Sequence, residues 1–327
     1  MNVYIVGRGA VGSFLGERLR SVGVNVTYAP RALEDVTRVE ADVAIVAVKS
    51  YDTPSAIESL KRAIAAPGNC VFVSPQNGLG NEELLAAAFG ERNVVAAALT
   101  VPVDRDRDGR VAAAKEGGLA LAPLGGAAYN WLSATFQSAG IAVKVCEDWR
   151  ALKWSKLALN IVANASCAIL NVLPNRLVQF EKIFTLEIRA IREVRDVMKS
   201  LGLSPADLPR YPVRALFAIA SLPSPIARRV LAGRVASARG TKPPSLLLDL
   251  RSGRERTEVD ALCGAVAMAG RAQGVPTPVN AVYARVLADI AQMPQLWAKY
   301  RERPEALLDE VYAEMKRAKA RERGKHA

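Results

Sequence analysis

Met1-Asn2-Val3-Tyr4-Ile5-Val6-Gly7-Arg8-Gly9-Ala10-Val11-Gly12 is the stretch that decides the fold. A short, β-rich apolar run breaks directly into Gly7-x-Gly9-x-x-Gly12, and an apolar-periodic stretch follows from Ala10 to Val22. The order of strand, glycine turn and helix gives the glycines their meaning. Gly7 allows a tight turn off the strand, and Gly9 removes the Cβ that would block a pyrophosphate. Gly12 lets the helix pack closely on the sheet, so that the helix N-terminus faces phosphates. Gly7, Arg8, Gly9, Ala10, Val11 and Gly12 are therefore the expected cradle of a dinucleotide.

Outward from this turn, Val24 to Tyr28 reads as a second strand. Sites for NAD place an acidic residue at its end to bind the ribose 2′-hydroxyl. Here the strand runs into Ala29-Pro30-Arg31, and a basic residue suits a 2′-phosphate, which favours NADP over NAD. Glu34 and Asp35 follow closely and offset part of that charge. Ala41 to Val48 is a near-continuous apolar run, as in a parallel strand buried on both faces. Lys49 ends it at the carboxyl edge, the side on which open α/β sheets bind ligands, and is a candidate cofactor or substrate contact. Residues 53–65 read as a helix, Cys70 to Ser74 and Asn93 to Thr100 as strands, 101–126 as a hairpin edge, and Ile141 to Val145 as the closing strand. Residues 1–147 thus predict a doubly wound, Rossmann-type α/β domain. Beyond it, 150–171, 176–201, 257–274 and 278–292 are helically periodic and Pro/Gly clusters punctuate them, which predicts an all-α domain over 148–327. The amphipathic extension after residue 293 (Trp297, Tyr300, Leu307, Leu308, Val311, Tyr312) is expected to pack on that domain, the alternative being a homodimer interface.

Composition narrows the function. A chain of 327 residues is long enough for two cored domains. Although 50% of it is hydrophobic, no window approaches the ~18 apolar residues of a membrane span. The immediate start of the first strand leaves no room for a secretory signal, so a cytoplasmic protein is expected. Cys70, Cys146, Cys167 and Cys263 have neither zinc nor disulfide spacing and read as buried thiols. Much of the net charge of +12 sits in Lys316, Arg317, Lys319, Arg321, Arg323 and Lys325, read as a solvated helix end that frays into a tail. No recognisable module or aromatic interleaving points to nucleic acid. The single histidine, His326, is one residue from the C-terminus, which argues against histidine acid–base chemistry and histidine-held metal. A reductase built on this chain must take its proton from Lys, Tyr, Glu, Asp or Cys.

Lys156, Asn160 and Asn164 are spaced i, i+4, i+8 in an otherwise apolar stretch. Each step turns about 40°, so on one helix all three line one slowly winding face. Two amides and an ammonium beside Leu157, Leu159, Ile161 and Val162 favour a cleft over an exposed stripe.

Several pieces in order resemble the ketopantoate reductase family (2-dehydropantoate 2-reductases). They are the glycine turn, Val46-Ala47-Val48-Lys49-Ser50-Tyr51-Asp52, Gln76-Asn77-Gly78-Leu79-Gly80-Asn81-Glu82, and Trp154-Ser155-Lys156-Leu157-x-x-Asn160-x-x-x-Asn164. Ser245-x-x-x-Asp249, Thr257-Glu258-Val259-Asp260 and Gly274-Val275-Pro276-Thr277-Pro278-Val279-Asn280 complete the set. The resemblance implies NADPH-dependent reduction of a 2-oxoacid, ketopantoate, to pantoate for coenzyme A synthesis. It implies that Lys156 donates the proton to the keto oxygen, with Glu258 near this lysine and the new hydroxyl. Asn160, Asn164 and Ser245 would hold the substrate, and Asn77 would sit where nicotinamide and substrate meet. From its own neighbours, Arg254, Glu255 and Arg256, Glu258 reads as part of an exposed charged turn. Two departures stand out. Only ten residues separate Arg31 from Asp42, fewer than the family spends near the adenosine, which weakens the assignment of Arg31 and the preference for NADP. Cys263 stands in a stretch where the family usually has an Asn, which bears on substrate contacts or on the helix packing behind them. The alternatives are a reductase of another 2-oxoacid and a silent dinucleotide-binding regulator.

Overall fold

The computed structural model describes residues 1–105, 111–113, 116–125 and 129–325; His326 lies outside the described residues. The chain divides into two compact units, one of Met1–Lys156 with Pro205–Pro212, the other of Leu157–Ser204 with Val213–Ala327.

The first unit is a Rossmann-type sheet with helices on both faces. Its strands are β1 (Asn2–Val6), β2 (Asn25–Tyr28), β3 (Val43–Val46), β4 (Val71–Ser74), β5 (Val94–Leu99), β6 (Val103–Arg105), β7 (Val111–Ala113), β8 (Gly118–Pro123) and β9 (Ala142–Val145). The interleaved helices are α1 (Ala10–Arg20), α2 (Thr53–Ala63), α3 (Asn81–Phe89) and α4 (Asn130–Ser138). Seven strands form one sheet in the order β2-β1-β3-β4-β5-β8-β9, and β6 and β7 form a separate hairpin. Strand alternation assigns the two cores. Val3, Ile5, Val43 and Ile45 join Phe14 and Leu15 of α1 and Leu132 and Phe136 of α4 on one face. Tyr4, Val6, Ala44 and Val46 join Ile57 and Leu60 of α2 and Leu85 of α3 on the other. Strands β3 and β4 are buried at every position, which is why they read as continuous apolar runs.

One sequence expectation changes here. Residues 101–126 are not all hairpin edge: β8 enters the main sheet antiparallel to β5 and parallel to β9, and Gly118–Ala122 are buried. The shortened segment after β2 leaves β2 as the sheet edge, with one 3₁₀ turn (Leu33–Asp35) before β3. The strand order reverses direction at β1 and β3, so the switch-point crevice opens at their carboxyl ends.

Helix α5 (Trp149–Ile161) crosses the division between the units. The second unit then has α6 (Ala165–Leu170), α7 (Pro174–Leu177), α8 (Glu181–Ser200), α9 (Val213–Ser221), α10 (Ser224–Arg239), α11 (Ser245–Arg251), α12 (Ala265–Gln273), α13 (Pro278–Gln292) and α14 (Pro304–Lys325), with no strand among its described residues. Helix α13 packs against α6, α8, α12 and α14. Trp297, Tyr300, Leu307, Leu308 and Val311 are buried, so the extension packs on its own unit and only Tyr312 of that set is exposed. The basic terminal stretch is helix to Lys325 rather than a fraying tail, as its run of Ala, Glu, Lys and Arg allows.

Candidate active site

The dinucleotide half is built from the ends of β1, β3 and β4. Gly7 has φ +104°, and a Cβ there would stand 2.6 Å from the Ala47 carbonyl carbon. A Cβ on Gly12 would stand 1.9 Å from the Gly7 carbonyl oxygen, so the first turn of α1 can approach β1 only without one. At Gly9, by contrast, a Cβ would meet nothing within 4 Å. That opening lies at the N-cap of α1, where the amides of Ala10, Val11 and Gly12 have no carbonyl one turn earlier in the helix. An open cradle at a helix N-terminus fits a pyrophosphate. Arg8 is exposed, with its guanidinium 5.1 Å from the centre of the Tyr28 ring at the end of β2. Arg31 is exposed just beyond that strand. The edge where a 2′-substituent would sit thus carries two guanidinium groups, with Glu34 and Asp35 in the 3₁₀ turn that follows.

Lys49 and Asn77 follow the adjacent strands β3 and β4, and both are half-buried. The structure ties their loops together. Ser50 Oγ donates to the Asn77 carbonyl at 2.8 Å, and Asn81 Nδ2 donates to the same oxygen at 3.1 Å.

The second half starts from α5. Between Ala151 and Ile161 every residue is buried except Lys156, Leu159 and Asn160. Their i, i+3, i+4 spacing makes one narrow stripe, so the ammonium and the first amide do share a face. Asn164 does not continue it. The helix stops at Ile161, Ala163 turns to φ 49°, and Asn164 becomes the N-cap residue of α6. The break is held by Glu187 of α8, whose Oε2 accepts the Ala163 N–H at 2.5 Å.

Asn164 is 4% exposed and fully engaged locally. Its Nδ2 donates to the Asn160 carbonyl at 3.0 Å and lies 3.4 Å from Ser245 Oγ, and its Oδ1 accepts the Leu246 N–H at 3.1 Å. The break therefore brings Asn160, Asn164 and Ser245 together, with Ser245 exposed at the first position of α11.

Glu258 is buried, 5% exposed, which corrects the exposed charged turn read from its neighbours. It precedes a single π-helical turn, Asp260–Gly264, where 257–274 reads in sequence as one regular helix. Cys263 in that turn faces inward. Burial, then Glu187 and Glu193, raise its thiol far above the usual range, so it is a protonated packing residue behind the site. Tyr283 of α13 lies in the same cluster, its hydroxyl raised by burial and then by Glu187. The closing motif is structural as well. The Val279 and Asn280 amides donate to Glu193 at 3.0 Å each, and Asn280 Nδ2 does so at 2.8 Å, which caps α13.

Residues missed by sequence reasoning lie under Asn77. Lys153, Glu82, Ser74, Gln76, Thr53 and Asn81 are all buried and joined by hydrogen bonds. In the sequence, Gln76, Asn81 and Glu82 stand only as part of the motif around Asn77, and Lys153 only as a lysine in an apolar helical stretch three residues before Lys156. Among the described residues no group of histidine, cysteine and carboxylate side chains is placed to hold a metal ion, and no helix is long and apolar enough to cross a membrane.

Comparison with known proteins agrees with this layout. The family described as ketopantoate reductase PanE/ApbA matches residues 21–126, and ketopantoate reductase PanE/ApbA C terminal matches 148–291. A 2-dehydropantoate 2-reductase of Pyrobaculum aerophilum is 31% identical over 294 residues, 84% of this chain and 93% of that protein. The crystal structure of a PanE/ApbA family ketopantoate reductase from Ralstonia eutropha superposes with a TM-score of 0.73 at 27% identity, covering 90% of this chain and 100% of that one. D-mandelate dehydrogenase, solved with NADH, has the same fold: TM-score 0.73, 18% identity, 89% of this chain and 99% of that one.

Proposed function

This chain belongs to the ketopantoate reductase family, and from that premise we propose that it reduces 2-dehydropantoate to pantoate with NADPH. The dinucleotide, when bound, supplies a hydride to the 2-keto carbon. The side chains bind, orient and protonate. The Lys156 ammonium donates a hydrogen bond to the keto oxygen, stabilises the charge that develops there and then delivers the proton. The Asn160 amide and the Ser245 hydroxyl hold the carboxylate and hydroxyl of the substrate. Asn164 acts through them: its own amide is spent on the Asn160 carbonyl, Ser245 and the first turn of α11. Glu258 accepts a hydrogen bond from the new hydroxyl and orients Lys156. Asn77 lies at the nicotinamide end, Lys49 contacts cofactor or substrate, and Arg8 and Arg31 take the 2′-phosphate, which sets NADPH above NADH.

The observation that supports this reading best is the stripe of Lys156 and Asn160, with Leu159 beside them, on a helix that is otherwise buried from Ala151 to Ile161. A charged side chain left half-open there is costly to keep for packing alone.

The test is oxidation of NADPH and NADH, followed by absorbance, with ketopantoate and a panel of other 2-oxoacids, on wild type and Lys156→Ala. The expected result is fastest turnover of ketopantoate with NADPH, reduced by ~10²-fold or more in the variant. Faster turnover of another 2-oxoacid reassigns the substrate. Tight nucleotide binding with no turnover of any of them overturns the reductase reading.

A further inference from the structure

Gln76, Asn81 and Glu82 flank Asn77 in sequence, yet the proposed chemistry uses none of them. They belong to a buried polar network inside the first unit. Lys153 Nζ stands 2.8 Å from Glu82 Oε1, with both side chains at most 1% exposed. The same ammonium donates to the Gln76 carbonyl and lies 3.5 Å from the Ala97 carbonyl oxygen of β5. Ser74 Oγ donates to Glu82 Oε1 at 2.5 Å. Gln76 Nε2 reaches Thr53 Oγ1 at 2.8 Å and the Val48 carbonyl at 3.1 Å, and Thr53 donates to Asn81 Oδ1 at 2.8 Å. Asn81 Nδ2 then returns to the Asn77 carbonyl.

A buried ion pair is a poor way to stabilise a fold, because desolvation offsets most of the attraction and well-packed apolar residues often do as well or better. It does one thing that apolar residues cannot: it holds a peptide carbonyl at a fixed point. Here the carbonyl belongs to the residue immediately before Asn77. The ammonium that holds it sits three residues before Lys156, on the same turn of α5, and one helical turn moves as a rigid piece.

We propose that Lys153 and Glu82 are a positioning pair, fixing the Gln76–Asn77 peptide against the helical turn that carries Lys156, so that the nicotinamide-end amide and the proton donor keep their spacing. The inference rests on the roles assigned above to Asn77 and Lys156. Glu82 orients the ammonium, Ser74 orients Glu82, and the links from Thr53 and Ser50 stop the loop from swinging away from the segment that follows β3.

The experiment compares wild type, Lys153→Met, Glu82→Gln and the apolar pair Lys153→Met/Glu82→Leu. It reads kcat, KM for the 2-oxoacid, Kd for NADPH, the isotope effect with NADPH deuterated at C4, and amide hydrogen exchange. In Lys153→Met, kcat is expected to fall ~10–100-fold with KM and Kd changed less than about threefold, as misplacement of reacting groups predicts. The isotope effect should rise, and exchange at Gln76–Asn81 should quicken while Ala10–Gly12 stay as in wild type. Glu82→Gln keeps a partner for the ammonium and is expected to lose less.

If Lys153→Met does not fold, the apolar pair removes both charges and restores packing, and it should fold yet remain slow. Wild-type kcat in either folded variant lacking Lys153 overturns the proposal. No turnover of any 2-oxoacid by wild type overturns the reductase reading instead. Exchange at Gln76–Asn81 then decides the clamp alone: unchanged exchange in a folded variant lacking Lys153 overturns it, and quickened exchange confined to that loop supports it.

Discussion

Two turns present the amides on which the proposed site depends, and they are built in opposite ways. The turn after β4 takes its left-handed conformations at glycines, Gly78 (φ 82°) and Gly80 (φ 94°), where they cost little backbone strain. Its anchoring carboxylate, Glu82, is neutralised by Lys153. The turn between α5 and α6 places an alanine in the left-handed region, and a carboxylate from α8 accepts that alanine's N–H. The first turn is relaxed in its backbone and depends on a pair of charges. The second stores backbone strain and depends on a single acceptor. Substitutions at the two should therefore fail differently.

The largest effect is expected from splitting the ion pair. Glu82→Leu leaves the Lys153 ammonium buried without its counter-charge and should lower the unfolding free energy by about 3–5 kcal/mol. Adding Lys153→Met should recover most of that loss, as denaturant unfolding of the single and double variants would reveal. A double variant as unstable as the single one would mean that packing, rather than charge, is what Glu82 supplies.

The next effect depends on pH and comes from the helical unit. Glu193 is buried beneath the α13 N-terminus, and burial pushes its carboxyl up to about 7 against three hydrogen bonds and Arg189, all of which favour the ionised form. With the folded value above the ordinary 4.5, the native state holds the proton more tightly than the unfolded chain does. This contribution is full below about pH 4.5, declines as pH rises towards 7, and is level above that. At 1.36 kcal/mol per pH unit the swing is about 3 kcal/mol. Unfolding free energies of wild type and Glu193→Gln, measured from pH 4.5 to 8, should diverge with that sign. Glu310 runs the other way: Lys299 and then Arg285 hold it down at about 2, so its contribution is kept above pH 4.5 and lost only in acid. A flat difference curve for Glu193 would mean that the three donated hydrogen bonds outweigh burial.

The sequence carried the sheet clearly, and the site only in part. Val3, Tyr4, Ile5 and Val6 alternate between two cores, and that period survives in a single chain read alone. The α5–α6 break left no such trace. Ile161-Val162-Ala163 keeps helical periodicity without glycine or proline, and the carboxylate that opens the turn comes from another helix. Glu258 looked exposed because local sequence shows Arg254, Glu255 and Arg256 but not the packing over the next turn. Lys153 was unreadable for the same reason, since its partners lie on α3 and in the loop after β4. Strand β8 was misread because antiparallel entry into the main sheet has no period distinct from that of a hairpin edge.

A smaller effect tests the second turn directly. Glu187→Ala removes the acceptor of a buried N–H and should cost about 1–3 kcal/mol. Its functional mark is selective. With the Asn164 turn loosened, KM for the 2-oxoacid should rise by about tenfold while Kd for NADPH is unchanged, because nucleotide groups are assigned to the first unit. Equal loss of both affinities would show that Glu187 supports the whole fold and not this turn.

The smallest effect separates strain from packing. Ala163 and Ala158 are both 0% exposed, but Ala158 is helical inside α5 and Ala163 is left-handed. Changing Ala158 to Gly removes a buried methyl and adds a flexible residue to a helix, so about 1.5–2 kcal/mol should be lost. At Ala163 the same two losses are offset by relief of about 1–2 kcal/mol of left-handed strain. Ala163→Gly should therefore stay within about 0.5 kcal/mol of wild type, with KM unchanged as long as Glu187 still accepts the N–H. Equal destabilisation at both positions in thermal unfolding would mean that the turn at Ala163 is unstrained. The contrast between a relaxed glycine turn and a held alanine turn would then fail at its second member.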